Sequence, residues 1–133
     1  MILLFSVLLA SCVHWPDINE DCESYGVAES RTPMGSKVQV IPLGRADLDR
    51  ICGGVRSQVV SVHPEAVVNG CAIPQRDGSV LAYYREGDRC AMNHELCHAL
   101  HGTNHTGRYL EELAAGIPMP YCPGMQLAGL SGR

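Results

Sequence analysis

This chain has few aromatic side chains and a small net charge. Trp, Tyr and Phe together make up 5% of the 133 residues, and the formal net charge at pH 7 is −4. A weakly acidic chain lacks the basic surface that binds phosphate backbones, so nucleic acid is not an expected partner. With 46% hydrophobic residues, the sequence predicts one folded domain whose small aliphatic core needs additional staples.

The sequence also lacks a hydrophobic run long enough to span a bilayer, which takes about 20 residues. Residues 1–11 read MILLFSVLLAS, a shorter run that predicts the apolar region of a secretory signal peptide. No Lys or Arg stands between Met1 and this run, so the basic segment typical of such signals is missing. Export from the cytoplasm is nevertheless the expected fate of the chain.

The end of the run, Leu9-Ala10-Ser11-Cys12, resembles the lipobox of bacterial lipoproteins. In that family the signal is cleaved just before the cysteine, which then carries acyl chains that anchor the protein in a membrane. The resemblance implies a signal peptide over residues 1–11 and a lipid on Cys12. Val13 rather than Asp follows, which in enterobacterial lipoproteins implies the periplasmic face of the outer membrane. The alternative is a signal peptide without lipidation, in which Cys12 is incidental.

The remaining cysteines are the expected staples. An even number of cysteines in a small exported domain predicts disulfides, up to three of them. The sequence does not select among the possible pairings, and a mixture of buried thiols with one or two bridges is the alternative. Apart from Cys12 the cysteines are Cys22, Cys52, Cys71, Cys90, Cys97 and Cys122.

Periodicity and turn residues predict an α+β domain over residues 37–133, preceded by a polar tether over residues 12–36 in which Cys22 is pinned to the body. Glycines at positions 53 and 102 end the first two predicted helices. The fold class is a small mixed or antiparallel sheet packed on a helix and stapled by disulfides. The predicted strands are 37–42, 58–62, 66–73 and 79–84, the last two forming a hairpin, and the predicted helices are 45–52, 89–101 and 108–115.

The helix over residues 89–101 carries His94-Glu95-Leu96-Cys97-His98. Histidines four apart lie on one helix face, where both imidazoles can bind one Zn²⁺ at about 2.0–2.1 Å. Glu95 is rotated by about 100° from His94, beside the metal rather than on it. The alternative is a helix that holds these residues without a metal.

This HExxH arrangement resembles the zincin metallopeptidases, over about a dozen residues. In that group the glutamate is the general base for a water activated by zinc. The resemblance implies a membrane-anchored zinc peptidase with Glu95 as its base, acting on a peptide, a protein or a cell-wall amide. In zincins the strand before the helix is a sheet edge that pairs with the substrate, and residues 80–84 would have that position.

The third metal ligand is indicated by Gly102-Thr103-Asn104-His105. In the metzincin branch the motif is HExxHxxGxxH, and the glycine turns the chain so that the last histidine reaches the metal. Here one residue is added before the glycine, and the resemblance favours His105 as third ligand. Glu111 or Glu112 is the alternative, as in gluzincins.

His101 shares the face of His94, but an ideal helix separates the two by about 10.5 Å along its axis. We therefore expect His101 to lie outside the site rather than on the metal.

Other functions remain open from the sequence. A non-enzymatic envelope lipoprotein with a structural zinc site is the main alternative, and a structural site would need four protein ligands. A zinc site rich in thiolates, using Cys90 and Cys97, is conceivable but would leave Glu95 without a role. A toxin or phage-type factor that shares the motif is a third possibility.

Overall fold

The computed structural model describes residues 21–30, 32–54 and 68–116. The proposed signal peptide, Cys12 and the predicted strand over residues 58–62 lie outside these ranges. None of the helices in the described ranges is both long and apolar enough to cross a membrane. The elements are a short 3-10 helix Cys22–Tyr25, β1 Lys37–Leu43, α1 Arg45–Cys52, β2 Gly70–Pro74, β3 Ser79–Arg85, α2 Arg89–His101 and α3 Gly107–Ala114.

The three strands form a mixed sheet in the order β1-β3-β2. β1 runs parallel to β3, with Lys37 opposite Ser79, and β2 runs antiparallel to β3, with Gly70 opposite Tyr84. The antiparallel pair is the predicted hairpin. Its first strand begins at Gly70, and residues 66–67 of the predicted strand lie outside the described ranges. The predicted α+β class with a small mixed sheet is confirmed.

The position of β3 overturns one expectation. Residues 80–84 were expected to form a sheet edge, by analogy with zincins, yet β3 is the central strand and is paired on both sides. Its backbone amides and carbonyls are already used in the two ladders, so this strand cannot pair with a peptide substrate. The expectation was wrong because β1, which is distant in sequence, adds to the open side of the hairpin.

Alternate residues of the sheet face opposite helices, as the two-residue period of a strand requires. Val80 and Ala82 are fully buried against Leu96 and Ala99 of α2, forming one apolar cluster with Val38 of β1. On the other face, Leu48 and Cys52 of α1 pack with Cys71 and Tyr83. The sheet therefore supports α2, which carries the candidate ligands, along one whole face.

Two disulfides fasten the described part of the chain, as predicted for a small exported domain. Cys52–Cys71 joins α1 to β2 across 19 residues, and Cys22–Cys97 joins the 3-10 helix to α2 across 75 residues. Loop closure alone gives these bridges about 3 and about 4 kcal/mol of stabilisation. Cys90 is disulfide-bonded as well.

Residues 22–30, which the sequence assigned to the tether, include part of the core. Cys22, Tyr25 and Val27 are buried in a cluster with Cys97 of α2. The expectation that Cys22 is pinned to the body is confirmed, and the packed region reaches further towards the N-terminus than residue 37.

Candidate metal centre

Helix α2 begins after a residue that caps its first turn. Asp88 caps its first turn, the carboxylate accepting a hydrogen bond of 2.9 Å from the amide of Ala91. Leu96 and Ala99 are buried against the sheet, which orients the helix about its own axis. His94 and His98, one turn apart, are thereby held side by side.

Gly102 turns the chain after α2. Its backbone has φ +95° and ψ −169°, a region that is essentially confined to glycine. Its amide donates to the carbonyl oxygen of His98 at 2.8 Å. The residue added to the metzincin-like spacing lies within α2, which continues to His101, and the turn at Gly102 still returns the chain so that His105 lies beside His98.

Three imidazole Nε2 atoms converge at one point. The distances are 3.0 Å between His94 and His98, 3.1 Å between His98 and His105, and 3.2 Å between His105 and His94. Ligands about 2.0–2.1 Å from a tetrahedral zinc ion would lie about 3.3–3.4 Å apart. The triangle is therefore within a few tenths of an ångström of the size that zinc requires, and this His94, His98 and His105 cluster can hold a metal ion.

The hydrogen bonds of the other ring nitrogens show that lone pairs point into the cluster. Nδ1 of His94 lies 2.7 Å from the carbonyl oxygen of Tyr25, and Nδ1 of His98 lies 2.8 Å from that of Gly102. A carbonyl oxygen only accepts, so each Nδ1 carries the proton and each neutral ring presents an unprotonated Nε2. Two such lone pairs 3.0 Å apart repel each other unless a cation lies between them, so this donor set fits a metal ion.

The surroundings keep the three histidines neutral, which is the form that binds metals. Burial, together with the neighbouring rings, holds the pKa of His94 well below its usual value, against the opposing effect of the Tyr25 hydrogen bond. Burial also lowers the pKa of His98. Burial and the nearby His98 lower the pKa of His105 to about 3.

Glu95 directly follows His94 on α2 and has a buried carboxyl group. The residue is only 6% exposed, and no hydrogen bond or ion pair within the described part of the chain holds the carboxyl. Burial raises its pKa to about 8. A buried carboxyl with no partner is costly for stability, and such groups are found mainly at functional sites.

The room for Glu95 comes from Gly70, the first residue of β2. A Cβ atom at Gly70 would lie 2.6 Å from Cγ and 2.9 Å from Oε1 of Glu95. These separations are too short for any side chain, so glycine at this position lets Glu95 lie flat against the sheet.

Tyr109 covers the histidines from α3. Its ring is nearly parallel to His105, with centroids 4.7 Å apart, and stacks on His94 at 5.3 Å. Burial first and the charge of Glu95 second raise its pKa to about 12, so the tyrosine stays protonated. It excludes water from one side of the cluster.

The alternative ligands from the sequence lie elsewhere. Glu111 is exposed on α3, and Glu112 pairs with Arg108 at 3.1 Å on the surface. The ring of His101 contacts the backbone of Ser30 rather than the cluster. Within the described ranges, only His94, His98 and His105 come together as a possible metal site.

A thiolate zinc site is excluded for the two cysteines considered. Cys97 is bonded to Cys22, and Cys90 is disulfide-bonded too. Neither sulfur is a thiolate, so neither can serve as a ligand of the kind that structural zinc sites use.

Sequence reasoning missed two residues that shape the site. The backbone carbonyl of Tyr25 orients His94. The two residues are 69 positions apart, and a side-chain pattern does not reveal a contact made by a backbone atom. Gly70 was assigned only to a strand. A glycine inside a strand pattern can indicate that another group approaches the backbone closely, and this signal could have identified Gly70.

Glu95 should make the stability of the metal-free protein depend on pH. Its pKa rises from 4.5 to about 8 on folding, so the folded chain keeps a proton that the unfolded chain releases. This stabilisation is complete below pH 4.5 and is lost as the pH rises to 8, with a total of up to roughly 5 kcal/mol. We expect Glu95→Gln, measured with chelator present, to be more stable than the parent at pH 8 and similar to it at pH 4.5.

Denaturant unfolding of both chains between pH 4.5 and 8 measures this difference. The histidines have lowered pKa values and act in the opposite direction, losing stabilisation as the pH falls below their usual value, but they are common to both chains and largely cancel. A stability difference that does not change with pH would show that Glu95 is already ionised in the folded state.

Comparisons of the chain with models of known families, with curated proteins and with solved structures find no significant match.

Proposed function

We propose that this protein is an exported, membrane-anchored zinc peptidase that hydrolyses peptide or cell-wall amide bonds, with His94, His98 and His105 as ligands and Glu95 as general base. The observation that carries the proposal is the buried carboxyl of Glu95, which has no hydrogen-bond partner in the described part of the chain and directly follows His94, one of three converging imidazoles. A hydrolase needs both components in this arrangement.

The choice of zinc rests on the donor set. Three neutral imidazoles suit Zn²⁺ as well as Cu, Fe and Ni, and the nitrogen separations of 3.0–3.2 Å suit the short bonds of a tetrahedral site. When bound, zinc would lower the pKa of water to about 7 and polarise a carbonyl oxygen.

The protein's own groups supply the rest of the chemistry. Glu95, in its carboxylate form, accepts the proton of the attacking water at a carboxylate oxygen and then donates it to the leaving amine. Burial raises the pKa of Glu95 to about 8, and a cation held by the histidines would lower that pKa and favour the carboxylate. Tyr109 shields His94 and His105 from solvent, so the charges act in a medium of low dielectric constant.

The number of ligands favours an enzyme over a structural zinc site. The cluster has three members within the described ranges, whereas structural zinc is held by four protein ligands. A structural site would also leave a buried carboxyl at Glu95, which destabilises the fold without a benefit.

The disulfides support the proposal that the chain is exported. Bridges such as Cys22–Cys97 and Cys52–Cys71 form and persist in oxidising compartments, including the bacterial periplasm. Together with the lipobox-like Leu9-Ala10-Ser11-Cys12, they support a periplasmic location, with the lipid on Cys12 as the anchor to the outer membrane.

The test is hydrolysis by the purified, disulfide-bonded chain. We expect one equivalent of zinc per chain, and cleavage of an unstructured peptide library or of peptidoglycan fragments that a chelator abolishes and added zinc restores. One bound zinc with no cleavage of either substrate class would refute the peptidase and support the lipoprotein with a structural metal. Failure to bind zinc would refute both.

A further inference from the structure

Residues 22–30, which we name the strap, contact the candidate metal centre at several places. The strap is fastened at its beginning by the Cys22–Cys97 disulfide, and Cys97 stands directly before the ligand His98. At its end Ser30 Oγ donates to the carbonyl oxygen of His101. Both attachments are to the second half of α2, and the first of them is next to a ligand.

The strap orients the first ligand through a backbone carbonyl. Tyr25 O accepts the Nδ1–H of His94 at 2.7 Å. The hydroxyl of Tyr25 accepts a bond of 3.3 Å from the side-chain amide of Asn93, and its ring is buried. A ligating histidine needs such an outer partner to fix its tautomer and ring angle, and loss of that partner typically weakens metal binding 10–100-fold.

The strap also holds the segment that carries the third ligand. Val27 forms an antiparallel bridge with His105. On either side of this bridge, the amide of Ala28 donates to Asn104 O and the amide of Thr106 donates to Gly26 O, both at 2.9 Å. His105 lies after the turn at Gly102, outside any helix, and this pairing fixes its backbone.

The ring that covers the ligands packs on the strap as well. Gly26 has φ +81°, and a Cβ atom there would lie 2.1 Å from Cδ2 of Tyr109. Tyr109 in turn stacks on His94 and His105. The strap is therefore in contact with two of the three ligands and with the group that shields them.

We infer that the strap is a positioning element of the metal centre and that the Cys22–Cys97 disulfide sets its metal affinity. Without the bridge, the strap loses its covalent link to α2 and is held by hydrogen bonds and side-chain packing only, so the local concentration of the Tyr25 carbonyl at His94 falls. Full affinity is then a property of the disulfide-bonded chain. The inference rests on metal binding at the proposed site, not on peptidase activity.

The test compares two disulfide deletions in the purified chain. Cys22→Ala with Cys97→Ala should weaken zinc binding 10–100-fold, as measured by competition with a chromogenic chelator. Cys52→Ala with Cys71→Ala is the matched control, because that bridge joins α1 to β2, away from the ligands. Alanine leaves no thiol that could bind zinc itself, and circular dichroism establishes that both variants are folded.

A second pair of variants keeps every disulfide. Gly26→Ala forces the strap or Tyr109 to move and should weaken zinc binding about tenfold or more. Gly87→Ala is its control, since Gly87 has a similar φ of +83° but open space around it. If the Cys22→Ala, Cys97→Ala variant does not fold, this glycine pair tests whether the strap affects zinc affinity.

The outcomes separate this inference from the proposed function. Equal zinc affinities of the strap variants and their controls would overturn the inference and leave the metal centre intact. A parent chain that binds no zinc would overturn both. Tight zinc binding that depends on the strap, with or without hydrolysis, would support the inference.

Discussion

Replacing Glu95 by Gln is expected to lower kcat for peptide hydrolysis by about 10²–10⁴-fold, the usual contribution of a positioned general base. Zinc should remain bound, because Glu95 is not one of the three residues that converge as ligands. Gln has nearly the same size and occupies the same buried position, but it cannot accept a proton from water. Steady-state kinetics on a cleaved peptide, with zinc content measured in parallel, test this.

Gly70→Ala tests the same group from the opposite strand. Its Cβ would meet Cγ of Glu95 at 2.6 Å and the backbone oxygen of Tyr83 at 2.8 Å, so the Glu95 side chain or the strand beneath it must shift. A displacement of this order can reduce a rate about 10²-fold. Gly44→Ala is the control, since nothing lies within 4 Å of a Cβ at that position. Retained activity in both Glu95→Gln and Gly70→Ala would show that Glu95 is not the base.

His105→Ala is expected to abolish zinc binding at micromolar metal, a loss of more than about 100-fold, because even an outer partner of a ligand contributes 10–100-fold. The two remaining imidazoles, His94 and His98, cannot hold zinc as three do. Alanine retains the backbone bridge to Val27, so the variant removes the ligand and keeps the segment in place. Competition with a chelator of known affinity gives the measurement.

The controls for this experiment are Glu111→Gln and Glu112→Gln. These glutamates were the alternative ligands, and both lie outside the cluster, Glu112 in a surface pair with Arg108. We expect unchanged zinc affinity in both. If His105→Ala bound zinc as tightly as the parent chain while either control lost it, the ligand set proposed from the structure would be wrong.

Much of the site could be predicted because its parts are local in sequence. The pairing of His94 with His98 follows from the helical period, and α2 covers residues 89–101 as the sequence predicted. The turn at Gly102 is equally local, since its φ of +95° requires glycine. The resemblance to the metzincin spacing favoured His105 over Glu111 or Glu112, and the structure brings His105 to the same point despite the additional residue.

What the sequence by itself determined was the α+β class, the two-residue and helical periods, the glycines that end the first two helices and the pairing of His94 with His98. Only the tertiary structure placed β3 in the centre of the sheet, paired Cys22 with Cys97, opened space for Glu95 at Gly70 and set the Tyr25 carbonyl on His94. The physical reason is the separation along the chain of the residues that interact. Periods and caps depend on neighbours within a few residues, whereas strand order, disulfide pairing and contacts with backbone atoms depend on which distant segments pack together most favourably.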